Sequence, residues 1–475
     1  MNVPKIRFLD ATLYSTETRT RMPFRFGIAV MTEATHVFLQ GRFEIGNKVF
    51  TGLAAEGLLP KWFEKSPDKA AQQEMDELHL VVKKAAVFAR EIPADSGFRF
   101  WQQLYALQMP WAAEHGLPPL PAHFGVSMIE RALLDALARS QGCDFSTLLR
   151  ENLADVDLGS IHPELAGTEP LHYLPHQPLD TIVARHTVGL SDPLTNADLE
   201  PDERLADGLP QTLEDCIRFY GLRHFKLKVR GDVESDLARL KEIARVVTGE
   251  CRSGHAFTLD GNEQFKRFSD FAALWEGIRS DGTLRDFFEH LLFIEQPLHR
   301  SVALDPSVAR IKEWRDGPPV IIDESDAEIG DLALALDLGY AGTSHKNCKG
   351  VLKGTAHRCL INHRNLARPA TRLTMSGEDL VNIGPVALLQ DLAAQAALGN
   401  HTVERNGHHY FRGLSVFPES ISRAMLSHHR DLYIPFDGFA RLDVKAGHLH
   451  LGSVNDAPFG VAAEIPMEGF EATPI

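Results

Sequence analysis

From residue 223 onward the chain alternates, with little interruption, between short apolar runs and longer amphipathic ones. The runs at 224–229 (HFKLKV), 256–259 (AFTL), 291–294 (LLFI), 320–322 (VII), a stretch ending near His345, 373–376 (LTMS) and 401–404 (HTVE) read as strands. Helical patterns lie between them. The first opens at Asp232 and sets Leu237, Leu240, Ala244 and Val247 on one face. Others begin at Ser269 and Gly350 or span 302–314, 328–338 and 385–398. One more strand candidate, 181–190 (TIVARHTVGL), precedes the series. Repeated βα units of this size imply a parallel α/β sheet, and about eight of them imply a closed (β/α)8 TIM barrel. An open doubly wound sheet is the alternative fold, but no GxGxxG or Walker loop follows any strand.

The chain before the barrel has a different grammar. Residues 35–41 (THVFLQG) and 48–54 (KVFTGLA), joined through Phe43-Glu44-Ile45 and the turn residues Gly46-Asn47, predict antiparallel strands. Helical periodicity follows at 70–90 and 125–141; in the second, Val126, Ile129, Leu133, Leu134 and Leu137 share a face. Between 151 and 211 the sequence turns to Pro, Gly, Asp and His, which predicts long surface loops apart from the 181–190 strand.

Composition narrows the function classes. A chain of 475 residues with 44% hydrophobic content has enough material for a barrel plus an accessory domain. With 49 Lys plus Arg against 64 Asp plus Glu, the net charge of -15 repels polyanions, so nucleic acid is not an expected partner. Cys143, Cys216, Cys251, Cys348 and Cys359 are scattered without CxxC spacing, which gives neither a disulfide framework nor a zinc motif. No run of eighteen apolar residues exists, so no membrane contact is expected, and the first residues lack a signal-peptide core. A cytoplasmic protein is the expectation.

The chemistry sits at the strand ends, where barrels of this kind carry their active sites. Lys226 and Lys228 are two apart and therefore share a strand face, with Phe225, Leu227 and Val229 on the other. The next three strands end in Asp260-Gly261-Asn262, Glu295-Gln296-Pro297 and Asp323-Glu324-Ser325, and the one after ends at Lys346. One acidic residue at a strand end is ordinarily a helix cap or loop charge. Three on successive strands, bracketed by interior lysines, bring Asp260, Glu295 and Asp323 side by side. Such a cluster calls for a hard divalent cation, and oxygen ligands favour Mg2+, with Mn2+ the alternative.

The ordered series KLK (226–228), LDGN (259–262), IEQP (294–297), DES (323–325) and HKNCKG (345–350) resembles the enolase superfamily, in its mandelate racemase and muconate-lactonizing branch. Met22-Pro23-Phe24-Arg25-Phe26-Gly27 followed by THVFLQG is similar to the substrate-capping domain of those enzymes. The resemblance runs from about residue 5 to about residue 440. It implies an α+β capping domain at 1–155, a catalytic barrel at 176–434, and a segment at 435–475 packing back on the cap. It also implies Asp260, Glu295 and Asp323 as metal ligands and Lys228 and Lys346 as the acid/base pair on opposite faces of the substrate. Lys226 is then the companion lysine that makes Lys228 a better base. Asn262 becomes a neighbour of the metal ligands, and Glu378 a substrate-facing acid in the loop after the seventh strand. Arg19, Arg21 and Arg25 fall in the expected capping loop, with Arg25 the candidate contact for a substrate anion.

The implied reaction is removal of a proton alpha to the carboxylate of a small substrate, through an enolate, leading to racemisation, epimerisation or cycloisomerisation by a homo-oligomeric isomerase. Syn-elimination by a lyase at the same site is the alternative, although no His-Asp dyad suggests it; a catalytically silent, ligand-binding relative is a third reading. The chain departs from the family in Gly350-Val351, where two glycines are usual, and in extra length at 89–121 and 151–211. His345 is expected to pack away from the barrel interior, and the doublets His408-His409 and His428-His429 to lie on surfaces or loops.

Overall fold

A computed structural model describes residues 5–26, 29–314, 317–370 and 372–475. Its first layer is an antiparallel sheet of three long strands, β1 (Ile6–Phe26), β2 (Ala29–Ile45) and β3 (Lys48–Leu58). Gly46-Asn47 makes the turn between β2 and β3, with Ile45 opposite Lys48. Residues 19–25, expected as a loop, belong to β1. The stretch hides its strand character because charged residues alternate with threonines rather than with aliphatic residues. Thr18 is nonetheless buried and donates its hydroxyl to the Ala34 carbonyl at 2.7 Å.

Three helices cover this sheet: α1 (Ala71–Arg90), α2 (Gly97–Glu114) and α3 (Pro119–Gln141). Strand β3 packs tightly on α3, since a side chain at Gly52 would run into the Ala132 carbonyl oxygen 1.8 Å away. Much of the extra length at 89–121 is α2, a regular helix N-capped by Ser96, which accepts from the Arg99 amide at 3.2 Å. Phe98, Phe100, Trp101 and Leu104 bury its inner face, while Pro110 within it obscures the helical period. The C-terminal strand Glu471–Pro474 lies antiparallel against β1, with Thr12 opposite Pro474.

The second unit is a closed parallel barrel of β4 (Thr181–Val188), β5 (His224–Lys228), β6 (Ala256–Asp260), β7 (Leu291–Glu295), β8 (Val320–Ile322), β9 (Gly342–His345), β10 (Thr374–Gly377) and β11 (Thr402–Arg405). Neighbours pair in chain order, and β11 returns to β4 through Thr402↔Val183 to Arg405↔His186. Helices between strands follow their local signals; Val233–Glu250, for example, starts where Asp232 accepts from the Ser235 amide. The span 302–314 is not one helix. It comprises the single turn Arg300–Ala303 and the 3-10 segment Pro306–Glu313, because Pro306 disfavours helical backbone at Asp305. Segment 435–475 is also not given over to the cap alone, since His448–His450 pairs antiparallel with the start of β4. Among the described residues, no helix is long and apolar enough to cross a membrane.

Candidate active site

The polar residues at the barrel mouth are set by strand register. Along β5, Lys226 and Lys228 turn inward and are 2% and 7% exposed, so both amino groups are held in a nearly dry interior. Lys228 lies beside Asp260, and Asp260 beside Glu295, on successive strands. Asp323 follows the last residue of β8, and Lys346 the last residue of β9. The loops after β6 and β7 press together. A side chain at Gly261 would meet Pro297 Cα at 2.4 Å, and Asn262 (φ 45°), Glu263 (φ 64°) and Gln296 (φ 34°) adopt left-handed backbone. Each such residue costs on the order of 1–3 kcal/mol, a strain that accumulates at functional sites.

Charge pairing divides the site in two. Lys226 Nζ lies 3.2 Å from Asp260, 2.9 Å from Glu295, 2.7 Å from Glu378 and 3.0 Å from Glu404. Burial opposes its charge, but these carboxylates outweigh burial and hold its pKa well above the usual lysine value. Lys228 Nζ donates to Asp260 Oδ2 at 2.9 Å and to Asn262 Oδ1 at 3.0 Å. On the other side, Asp323 accepts from Lys346 at 2.6 Å and from Lys349 at 3.3 Å. Burial would raise the Asp323 carboxyl, yet the two lysines hold it well below the carboxylate range. For Lys346, burial opposes the charge and Asp323 outweighs it, so its pKa is raised.

Glu295 behaves in the opposite way. Burial, then the charges of Glu378, Asp260 and Asp323, push it well above the usual value despite Lys226. Its Oε2 has no hydrogen-bond partner, although Lys226 Nζ is 2.9 Å away. Hard oxygen donors on three adjacent strand ends, one of them with an oxygen that accepts no hydrogen bond, fit a divalent cation. The three carboxylates do not converge on one point here, because Lys226 and Lys349 draw them to different sides.

The cap closes over this floor. Trp62 and Lys65, from the segment after β3, line the same cleft as Phe24, Lys226, Lys228, Asp323 and Lys346. Lys346 Nζ lies 5.1 Å from the centre of the Trp62 ring. Lys65 bridges Glu263 at 2.7 Å and Glu324 at 3.2 Å.

No protein-family model matches the sequence, and no curated protein matches it either. Solved structures do. A dipeptide epimerase from Cytophaga hutchinsonii, complexed with Mg and the dipeptide D-Ala-L-Val, is 12% identical with a TM-score of 0.62, covering 99% of this chain and 100% of that one. A mandelate racemase/muconate lactonizing protein from Herpetosiphon aurantiacus is 17% identical with a TM-score of 0.61, over 98% of this chain and 100% of that one. A muconate lactonizing enzyme from Pseudomonas fluorescens, complexed with muconolactone, is 17% identical with a TM-score of 0.56, over 96% and 97%. The protein shares the fold of these enzymes, an α+β domain joined to a closed (β/α)8 barrel.

Within that fold the predicted residues divide clearly. Lys226, Lys228, Asp260, Asn262, Asp323 and Lys346 line one cleft, and Glu295 and Glu378 reach it through Lys226. Arg25 is exposed on β1 and lines an outer groove with Asp192 and Arg239 instead. Arg21, expected in a mobile loop, is a buried clamp: it pairs with Asp207 and donates to the carbonyls of Leu209, Pro210 and His409.

Several participants went unpredicted. Glu404 is the penultimate residue of β11, close to the strand end where the other acids lie, so the strand-end pattern pointed to it; it accepts from Thr187 at 2.6 Å and contacts Lys226. Arg185, paired with Glu378, faces inward two residues before Thr187. Trp62 and Lys65 carry no local signal, because only the tertiary fold brings them to the mouth. Of the discounted histidines, His345 is buried and bonded to Asn347. The surface reading of His408 and His409 is wrong: both are buried, as is His429, because the segment around Tyr433–Leu442 and the β4 face cover them. His428 is exposed.

Proposed function

We propose that this protein removes and returns a proton alpha to the carboxylate of a small substrate, with Mg2+ bound by Asp260, Glu295 and Asp323, and so acts as a racemase, epimerase or cycloisomerase. The observation that supports this reading is the position of Lys228 and Lys346. They project from β5 and from the end of β9, four places apart in a ring of eight strands, and thus face each other across the mouth. A substrate carbon between them meets a proton acceptor on one face and a donor on the other.

The bound metal supplies Lewis-acid stabilisation for negative charge developing on the substrate carboxylate. The remaining chemistry belongs to the chain. Lys346, beside Asp323, holds its proton and is suited to donate it. Sharing the Asp323 charge with a cation weakens that hold and brings Lys346 toward a range where it exchanges protons in both directions. Lys228 is oriented by Asp260 and Asn262, which fix its Nζ at the cleft wall. Lys226, caged by four carboxylates, neutralises part of the acidic floor and positions Glu295 and Glu378. Trp62 and Lys65 shield the lysines from bulk water and border the substrate space.

The test is incubation in deuterium oxide with Mg2+ and a panel of N-acyl amino acids, dipeptides and hydroxy acids. Alpha-deuterium incorporation into at least one compound, dependent on Mg2+, is the expected result. Absence of exchange across the panel, together with no Mg2+ binding by calorimetry, would sink the proposal in favour of a silent ligand-binding protein.

A further inference from the structure

We propose that His186, Cys216 and His409 form a second metal site, for a thiophilic transition-metal ion of the zinc type, at the seam where the barrel closes. Arg185 and Thr187 face the barrel interior, toward Glu378 and Glu404, so by strand alternation His186 faces the outer helical layer. Cys216 lies on the helix Leu213–Tyr220, and His409 on the turn Gly407–Tyr410 that follows β11. The donors thus come from the first strand, the helix leading out of the β4 loop, and the segment after the last strand.

The geometry points to a ligand set. One donor atom of each residue lies within 4.8 Å of the other two, and Cys216 Sγ is 3.4 Å from His409 Nδ1. Donors around a tetrahedral zinc, at roughly 2.3 Å for sulfur and about 2.0 Å for nitrogen, stand about 3.5 Å apart. Among the described residues no other group of His, Cys, Asp and Glu draws together this closely. The acids of the catalytic mouth, held apart by lysines, do not.

The surroundings suit a soft ion and not magnesium. His186, Cys216 and His409 are all buried. Burial holds both imidazoles in the neutral form that ligates, with His186 near 4. His186 Nδ1 is bonded to His408 Nε2 at 3.2 Å, which leaves Nε2 of His186 for the ion and fixes the ring from behind. Burial raises the Cys216 thiol, and the nearby Arg21 charge partly offsets this. Uptake of a divalent ion exchanges the S–H bond for a metal–thiolate bond and releases one proton to solvent, with no change of oxidation state. The ion would tie the first and last strands of the barrel together. Without it, the same contact is a simple S–H···N hydrogen bond.

Cobalt distinguishes these two states, because only a thiolate ligand gives a sulfur-to-cobalt charge-transfer band and the catalytic mouth offers none. The full-length protein, stripped with chelator and titrated with Co2+, is expected to develop that band at about one equivalent, and Zn2+ to erase it. The band should vanish in Cys216→Ser and persist in Cys143→Ser and Asp323→Asn. Because Cys216 also packs the seam, His409→Gln is the second variant; it keeps every cysteine and should weaken cobalt binding at least about tenfold. A wild-type titration without the band, or a band that survives in both Cys216→Ser and His409→Gln, overturns the site.

Discussion

At the residue scale, Asp323 anchors Lys346, Lys349 and the Ser344 hydroxyl at once. Asp323→Asn keeps the shape and removes the charge. Mg2+ affinity measured by calorimetry should fall at least about 100-fold, since a hard cation depends on anionic oxygen. A buried histidine contributes to acid stability. His36 is buried against Phe38 and Phe417 with no partner for Nε2, and burial lowers its pKa from 6.5 to about 3. A depressed pKa gives stability that is present above 6.5 and lost as pH falls toward 3. His36→Phe should therefore flatten the loss of unfolding free energy between pH 6.5 and 4.5 by about 1.4 kcal/mol per pH unit. Denaturant unfolding at several pH values reads this, and an unchanged slope would show that His36 protonates freely in the folded chain. Residues at this scale were legible where strand period positions them, as with Asp260 and Lys228. They were not where a distant segment decides exposure, as with His408 and His409.

Among elements, Arg300 is one of the links between cap and barrel. Its guanidinium holds Glu263 at 2.7 Å and donates to the carbonyls of Phe63 at 2.7 Å and Trp62 at 3.0 Å. The segment that presents Trp62 and Lys65 is thereby tied to the loop after β6. Arg300→Ala should lower the rate of substrate exchange by about tenfold, mainly through KM, while leaving Mg2+ affinity unchanged, because it loosens positioning without touching a ligand. A matching loss of metal binding would place Arg300 in the support of the metal ligands instead. The barrel strands could be read from the sequence because each is apolar, short and followed by an amphipathic helix. Strand β1 and helix α2 could not, since the Thr-Arg alternation and Pro110 mask their periods.

For the whole molecule, the fold sets the two lysines across a single acidic mouth and lowers an aromatic-lined cap onto it. The order of motifs along the chain was enough to place the mouth, because register in a closed parallel barrel converts chain order into neighbourhood. The cap's contribution was not legible, as it depends on two domains meeting. The most direct measurement takes each enantiomer of an exchanged substrate separately in deuterium oxide with Lys228→Ala and Lys346→Ala. Each variant should lose interconversion by at least about 100-fold, the scale of one acid/base group. Each should also retain exchange of only one enantiomer, opposite in the two variants. Equal loss for both enantiomers in one variant, with full activity in the other, would contradict a pair of opposed lysines.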